Sequence, residues 1–290
     1  MTAISNNTVK TSTVEAPGAV ITYDVRLADG TTEPALLMVG SPMDASGFGE
    51  LAARFPDRTV VTYDPRGAGR STKDEPASKS TPDQHADDLR RVIEAVGGPV
   101  DVFASSGGAI NMLALVAQYP GLVRTLVAHE PPAMRNLPDA EVALAAAKRL
   151  DAVYTEHGFG AGMAMFIALT SHRGEYPAEF ATMPAPDPAA FGLPTEDDGR
   201  RDDVLIGQNL LSCTHYEHDF ATLKASSTRI VIGVGAESVG EMAHRGGEAI
   251  AARLGVEPVT FPSHHGGFLG ENPWMKGDPD GFAATLRSVL

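Results

Sequence analysis

Residues 101–110, Asp-Val-Phe-Ala-Ser-Ser-Gly-Gly-Ala-Ile, carry the clearest chemistry in this chain. A run that reads as a buried strand, residues 100–104, ends in a small–x–Ser–x–small turn made by Ala104, Ser106 and Gly108. A mostly apolar helical pattern, residues 107–118, begins at once. Small residues two positions either side let the backbone turn sharply without clashes. A serine at the centre then projects its hydroxyl at a helix start, where free N–H groups and the helix dipole favour an oxyanion. The chemistry this predicts is attack by Ser106 on a carbonyl carbon. Ser105 is the neighbouring hydroxyl, but a turn centred there would put the bulky Phe103 two residues before it. The plainer alternative is a Ser/Gly turn that only joins strand to helix.

A serine nucleophile needs a base within about 3 Å. The chain has nine histidines. His264 and His265 are adjacent in the segment after the last strand-like run. His215 and His218 stand three apart on a helical pattern, a spacing that can bind metal, but no third ligand is evident and no metal site is expected. The single cysteine, Cys213, allows no internal disulfide and lacks the surroundings of a cysteine nucleophile, so it reads as a small residue packed on a helix.

These groups must be positioned by a scaffold, and the alternation of apolar runs supplies one. Strands are predicted at residues 19–27, 35–39, 59–63, 100–104, 125–129, 229–234 and 258–261. Helices are predicted at 82–96, 107–118, 239–254 and 282–290. This rhythm implies a mostly parallel sheet with helices on both faces. It stops for about a hundred residues after position 129. There, helices are predicted at 138–154 and 161–169, residues 171–203 read as Pro- and Gly-rich loop, and 205–223 as helical in parts. The simplest division is a core of residues 1–132 and 225–290, with a helical cap of residues 133–224.

At 290 residues, with 43% hydrophobic and 21% charged residues, the chain suits one core domain with an inserted subdomain. It has no run of about 18 apolar residues. Residues 1–16 are polar and lack the basic start and apolar middle of a secretory signal, so a cytoplasmic protein is expected. The net charge of −14 disfavours nucleic acid and anionic membranes and suits a neutral or weakly polar small molecule. No cofactor is expected, and a homodimer is left open.

With Ser106 placed, other segments fall into register. Residues 64–71, Asp-Pro-Arg-Gly-Ala-Gly-Arg-Ser, follow the strand at 59–63 and look like the D-x-R-G-x-G-x-S turn of α/β-hydrolases. Val39-Gly40-Ser41-Pro42 resembles that superfamily's H-G-x-P, with Val in place of His, and His265-Gly-Gly-Phe268 sits where the superfamily keeps its catalytic histidine. The resemblance spans residues 35–290, nearly the whole chain, and is more specific for fold than for substrate. It implies an α/β-hydrolase fold with a mostly parallel eight-stranded sheet and an inserted helical cap. It also implies His265 as base, a structural role for Asp64 and Arg66, and an oxyanion hole from the backbone N–H groups of Ser41 and Gly107, with Met43 in reserve.

The third member, an acid to orient His265, departs from the common pattern. The superfamily usually has an Asp about three residues after the Gly that ends the strand following the cap. Counting from Gly235 gives Ser238, which cannot serve. Glu237 is one residue short. Glu130, in His129-Glu130-Pro131-Pro132 at the end of the strand before the cap, is the other candidate, and this segment resembles zearalenone-type lactone hydrolases. Glu130, Glu237 and neither stay open from sequence.

Met43, Met163, Met165, Phe166 and Phe191 are candidates for a hydrophobic lining, or for the cap's own core. The function expected is hydrolysis of a carboxylic ester or lactone of a hydrophobic small molecule through an acyl-enzyme. Alternatives on the same residues are C–C bond hydrolysis, perhydrolysis, a cofactor-free lyase, or an accessory protein that binds a small molecule without turnover.

Overall fold

The computed structural model describes residues 9–270 and 276–290. The first eight residues of the polar N-terminal stretch lie outside the described residues. The chain opens with an antiparallel hairpin, β1 (Val9–Ala16) and β2 (Ala19–Arg26), turned at Pro17-Gly18 with Gly18 at φ +70°. There follow β3 (Leu36–Val39), a short helix α1 (Gly49–Ala53), β4 (Val60–Tyr63) and a two-residue strand β5 (Thr72–Lys73). Helix α2 (Pro82–Val96) starts with a reciprocal Thr81–Gln84 capping box and stops at Gly97, which is left-handed at φ +85°. Then come β6 (Val100–Ser105), α3 (Gly107–Gln118) and β7 (Val123–His129).

Between β7 and β8 (Arg229–Gly235) lie almost a hundred residues without a named strand. They hold α4 (Ala140–Ser171), a π-helical turn over Val204–Asn209, α5 (Leu210–Thr214) and α6 (Phe220–Ala225). The two helices expected at 138–154 and 161–169 form one helical stretch broken at Gly158, whose φ of +83° leaves helical space. The chain closes with α7 (Met242–Leu254), β9 (Val259–Phe261) and α8 (Pro279–Val289).

The sheet runs in the order β1-β2-β4-β3-β6-β7-β8-β9, and β5 adds to β2. β3, β4, β6, β7, β8 and β9 are mutually parallel, whereas β2 is antiparallel to its neighbours. The path thus has eight strands, and β5 makes a ninth. β1 went unread in the sequence because it is an edge strand with most side chains in solvent, so backbone pairing, not an apolar pattern, holds it.

Alternate residues of the central strands enter two cores. Leu37, Val39, Val102 and Ala104 pack with Leu89, Ile93, Ile110 and Leu113 of α2 and α3. Leu36, Met38, Phe103 and Val127 pack on the other face with Phe48, Leu51, Phe282 and Leu286. Full burial of each Val, Leu, Ile, Phe or Met side chain among them contributes roughly 1.5–3 kcal/mol. A third core is made within the insertion by Leu150, Tyr154, Met165, Ile206 and Leu210, joined by Met242 of α7.

Candidate active site

The site forms where β6, β7, β8 and β9 end side by side, at the C-terminal edge of the parallel sheet. The pairing of β6 with β7 continues to Ser105 opposite His129, and the Ser106 N–H donates to the His129 carbonyl at 3.0 Å. Ser106 itself takes φ +57° and ψ −129° before α3 begins. A non-glycine residue there costs about 1–3 kcal/mol, which the fully buried strand before it and the buried first turns of the helix after it offset. The small-residue requirement is visible in the packing. A Cβ on Gly108 would lie 2.5 Å from the Val39 carbonyl oxygen, and one on Gly107 would lie 2.6 Å from that of Ser41.

Glu130 continues the ladder one strand over, its N–H donating to the Gly233 carbonyl at 2.9 Å. It too has positive φ, +47°, and is fully buried. Its Oε2 lies 2.6 Å from His265 Nδ1. Its Oε1 accepts from the Gly235 N–H at 2.8 Å and from the Ser238 hydroxyl. Burial alone would raise this carboxyl, but the hydrogen bonds from His265 and from the Ser238 hydroxyl hold it well below the usual carboxylate range. Glu130 is therefore an anion whose two oxygens are both engaged. Ser238, the position counted for a superfamily acid, instead donates its hydroxyl to Glu130. Gly235 must be small here, since a Cβ would lie 2.6 Å from the Ser238 hydroxyl oxygen.

Glu237 is exposed, and its backbone carbonyl accepts from Arg173 at 2.9 Å. Among the described residues it makes no hydrogen bond or ion pair with His265. His264 accepts from the Gly266 N–H through Nδ1 at 3.0 Å and so stabilises the loop that presents His265. His265 keeps 39% side-chain exposure. His129 lies beneath it with ring centres 6.1 Å apart, boxed by Phe103, Phe261, Phe268 and Phe282. Burial pushes the His129 imidazole down to about 4, so it is neutral.

Ser106 and His265 line one cavity of about 460 Å³. No hydrogen bond joins their side chains among the described residues. The other walls are mostly apolar: Pro132, Phe166, Ile167, Leu205, Leu210 and Met242. Their polar companions are already partnered. Thr170, Ser171 and Thr214 donate to carbonyls of their own helical turns. Asn209 accepts from His85 Nε2 at 2.7 Å and donates to the Val204 carbonyl at 2.7 Å, and Glu241 is paired with Arg173. Free polar capacity thus gathers at Ser106, His265 and Ser41. Among the described residues the Ser41 and Gly107 backbone N–H groups have no acceptor, as an oxyanion site requires. The buried Ser41 hydroxyl also has no partner, which costs about 1–3 kcal/mol.

Of the expected lining residues, Phe166 is on the cavity wall. Met165 is fully buried in the insertion's own core and Met163 packs against it. Met43 packs against Gly40 and Gly47, beneath the loop, and Phe191 is 41% exposed on the surface. These four are not among the wall residues, because hydrophobic type alone does not say which core a side chain joins. Sequence reading missed Asn209, Leu210, Cys213, Thr214, Glu241 and Met242 as lining residues. Their one usable signal was position, on the segments that flank the insertion's return to the sheet.

Cys213 is buried at the wall and its thiol is pushed up to about 12 by burial, so it holds no thiolate to act as nucleophile. Among the described residues His215 and His218 do not share a ligand cluster. His218 is buried between Tyr216 and Phe220. Among the described residues the group spaced for a metal is His129, Glu130 and His265, with ligand atoms within 4.8 Å. Glu130 and His265 already bind each other there. Asp64 accepts from the Ala45 and Arg70 N–H groups, and Arg66 forms a buried two-bond pair with Asp88, so that turn braces the loop beside the site.

Comparison with known proteins agrees with this architecture. The uncharacterized hydrolase YraK of Bacillus subtilis is 27% identical over 267 residues, covering 90% of this chain and 91% of that protein. A thermophilic esterase from Thermogutta terrifontis superposes with a TM-score of 0.64 at 20% identity, covering 96% of this chain and 97% of that one. The enol-lactonase from Burkholderia xenovorans LB400 does so with a TM-score of 0.63 at 16% identity, covering 96% and 99%. No described helix is long and apolar enough to cross a membrane. The family model for the alpha/beta hydrolase fold matches residues 40–191, from the loop before Ser41 to Phe191, and the chain belongs to that family as a hydrolase.

Proposed function

We propose that this hydrolase cleaves a carboxylic ester or lactone of a hydrophobic small molecule through a Ser106 acyl-enzyme. The observation that carries this reading is the 2.6 Å contact of His265 Nδ1 with the buried Glu130 anion, at the rim of a cavity whose wall also holds Ser106. Glu130 fixes the ring so that Nε2 faces the cavity and can take the Ser106 proton. Ser106 Oγ attacks the carbonyl carbon, and the Ser41 and Gly107 N–H groups receive the oxyanion. His265 returns its proton to the leaving alkoxide. It then activates a water that releases the acid and restores Ser106. In a lactone, alcohol and acid leave as one opened molecule.

The apolar walls suit an uncharged acyl or ring substituent, and residues 133–224 serve as the cap over it. The esterase and enol-lactonase named above support ester chemistry by likeness of fold. Ser106→Ala is expected to lower turnover of a p-nitrophenyl ester by about 10⁴-fold. A fluorophosphonate probe should label the wild type and not the variant. Wild-type turnover by Ser106→Ala, or no labelling of the folded protein, overturns the reading.

A further inference from the structure

We infer that the Ser41 side-chain hydroxyl is a third donor to the oxyanion, beyond the two backbone N–H groups. The inference rests on the serine-nucleophile reading and goes one residue deeper into it.

Ser41 is 6% exposed, and its Oγ is buried without any hydrogen-bond partner. Its neighbours explain why that is odd for a structural serine. Apart from the proposed nucleophile Ser106, the other hydroxyls on the cavity wall, Thr170, Ser171 and Thr214, each donate to a nearby carbonyl. Ser41 lies on the wall that also holds Ser106 and Gly107. Its Cβ is 3.4 Å from where a Gly107 Cβ would stand, so the side chain abuts the second backbone donor. A serine Oγ lies within about one hydrogen-bond length of its own backbone nitrogen, so a rotation about one bond can aim both at the same oxygen. A hydroxyl with no acceptor of its own, beside two free N–H groups, is held ready for charge that appears only during reaction. The hydroxyl gives a hydrogen bond and keeps its proton, so the acyl transfer is otherwise unchanged. Alanine or any small residue would serve at this place if only the backbone N–H mattered.

The test uses Ser41→Ala and Ser41→Gly, both of which keep the backbone donor and remove the hydroxyl. Turnover and KM are measured on a p-nitrophenyl ester, with affinities for a trifluoromethyl ketone, which forms a tetrahedral adduct on serine, and for the matching secondary alcohol, which does not. The expected result is a drop in turnover of roughly 10–10²-fold with KM within about twofold, a matching loss in ketone affinity, and unchanged alcohol affinity. Thermal midpoints should hold or rise, since an unsatisfied hydroxyl is removed. Wild-type turnover and ketone affinity in a folded variant would overturn the inference, as would equal losses for ketone and alcohol. Fluorophosphonate labelling of Ser106 in these variants separates the two readings: if labelling persists while turnover is unchanged, only the role of the hydroxyl falls. If neither variant folds, the hydroxyl is a structural element and the inference falls.

Discussion

Glu130, at the end of β7, and His265, after β9, are separated by 135 positions and meet at 2.6 Å. The carboxylate comes from β7 instead of the loop after β8, and the Ser238 hydroxyl and Gly235 N–H hold its far oxygen. Glu130→Gln keeps the shape and removes the charge that orients the ring, so turnover should fall by about 10²–10⁴-fold. Glu237→Gln should leave turnover within about twofold, since Glu130 already supplies the charge beside the ring. The two variants, assayed on one ester, decide which carboxylate supports the proposed base.

Ser238 makes a second test of the same arrangement. Ser238→Ala removes a hydrogen bond to a buried anion, worth about 1.5–3 kcal/mol, and should lower both stability and turnover. Ser238→Asp places a second carboxylate against Glu130 and should lower the urea midpoint further. Pairing it with Glu130→Gly, which also suits the positive φ at 130, leaves one acid at the usual superfamily position. That double variant should recover part of the turnover lost in Glu130→Gly alone.

The elbow glycines should separate by effect. Gly108→Ala drives a Cβ to 2.5 Å from the Val39 carbonyl oxygen, a backbone atom that no side-chain rotation can move. It is expected to prevent stable folding or to lower the melting point by more than about 10 °C. Gly107→Ala presses on the Ser41 carbonyl and should displace the loop at Ser41, the proposed oxyanion site. Turnover should then drop by at least about 10²-fold in a protein that still folds. Melting curves and ester assays on the two variants check both outcomes.

Three histidines, His85, His129 and His218, are pushed down to about 4 by burial. An unfolded chain binds protons at these positions below about pH 6.5, whereas the folded protein does not until near pH 4. Stability therefore falls as pH drops through that window, by several kcal/mol in total at about 1.4 kcal/mol per pK unit. Glu130, with its folded carboxyl lowered, loses its own contribution in the same direction below about pH 4.5. Urea midpoints at pH 7 and pH 5 should show the fall. Replacing His85 and His218 by Gln should flatten it.

The wall and the insertion's core should respond differently to truncation. Met165→Ala, in the core, should cost about 2–5 kcal/mol of stability. Phe166→Ala, on the wall, should change KM for a bulky acyl ester more than it changes stability. Phe191→Ala should do neither. Denaturant midpoints and KM values for short and bulky esters check all three.

Much of the scaffold was legible from the chain alone: the parallel sheet, the sharp turn at Ser106 and the loop that carries His265. Apolar runs such as 36–39 and 100–105 are buried on both faces and announce themselves without context. The spacing of Ala104, Ser106 and Gly108 is a local backbone requirement, so it reads directly from the residues. Which carboxylate meets His265 was not legible, because reach from β7 across β8 to a loop after β9 depends on strand order and on a donor pair at Gly235 and Ser238. Nor was it legible which of Met43, Met163, Met165, Phe166 and Phe191 faces the cavity, since any of them satisfies an apolar neighbour. The difference is one of range. Strands and turns are set by residues a few positions apart, whereas a site is set by which distant surfaces the folded sheet brings into contact.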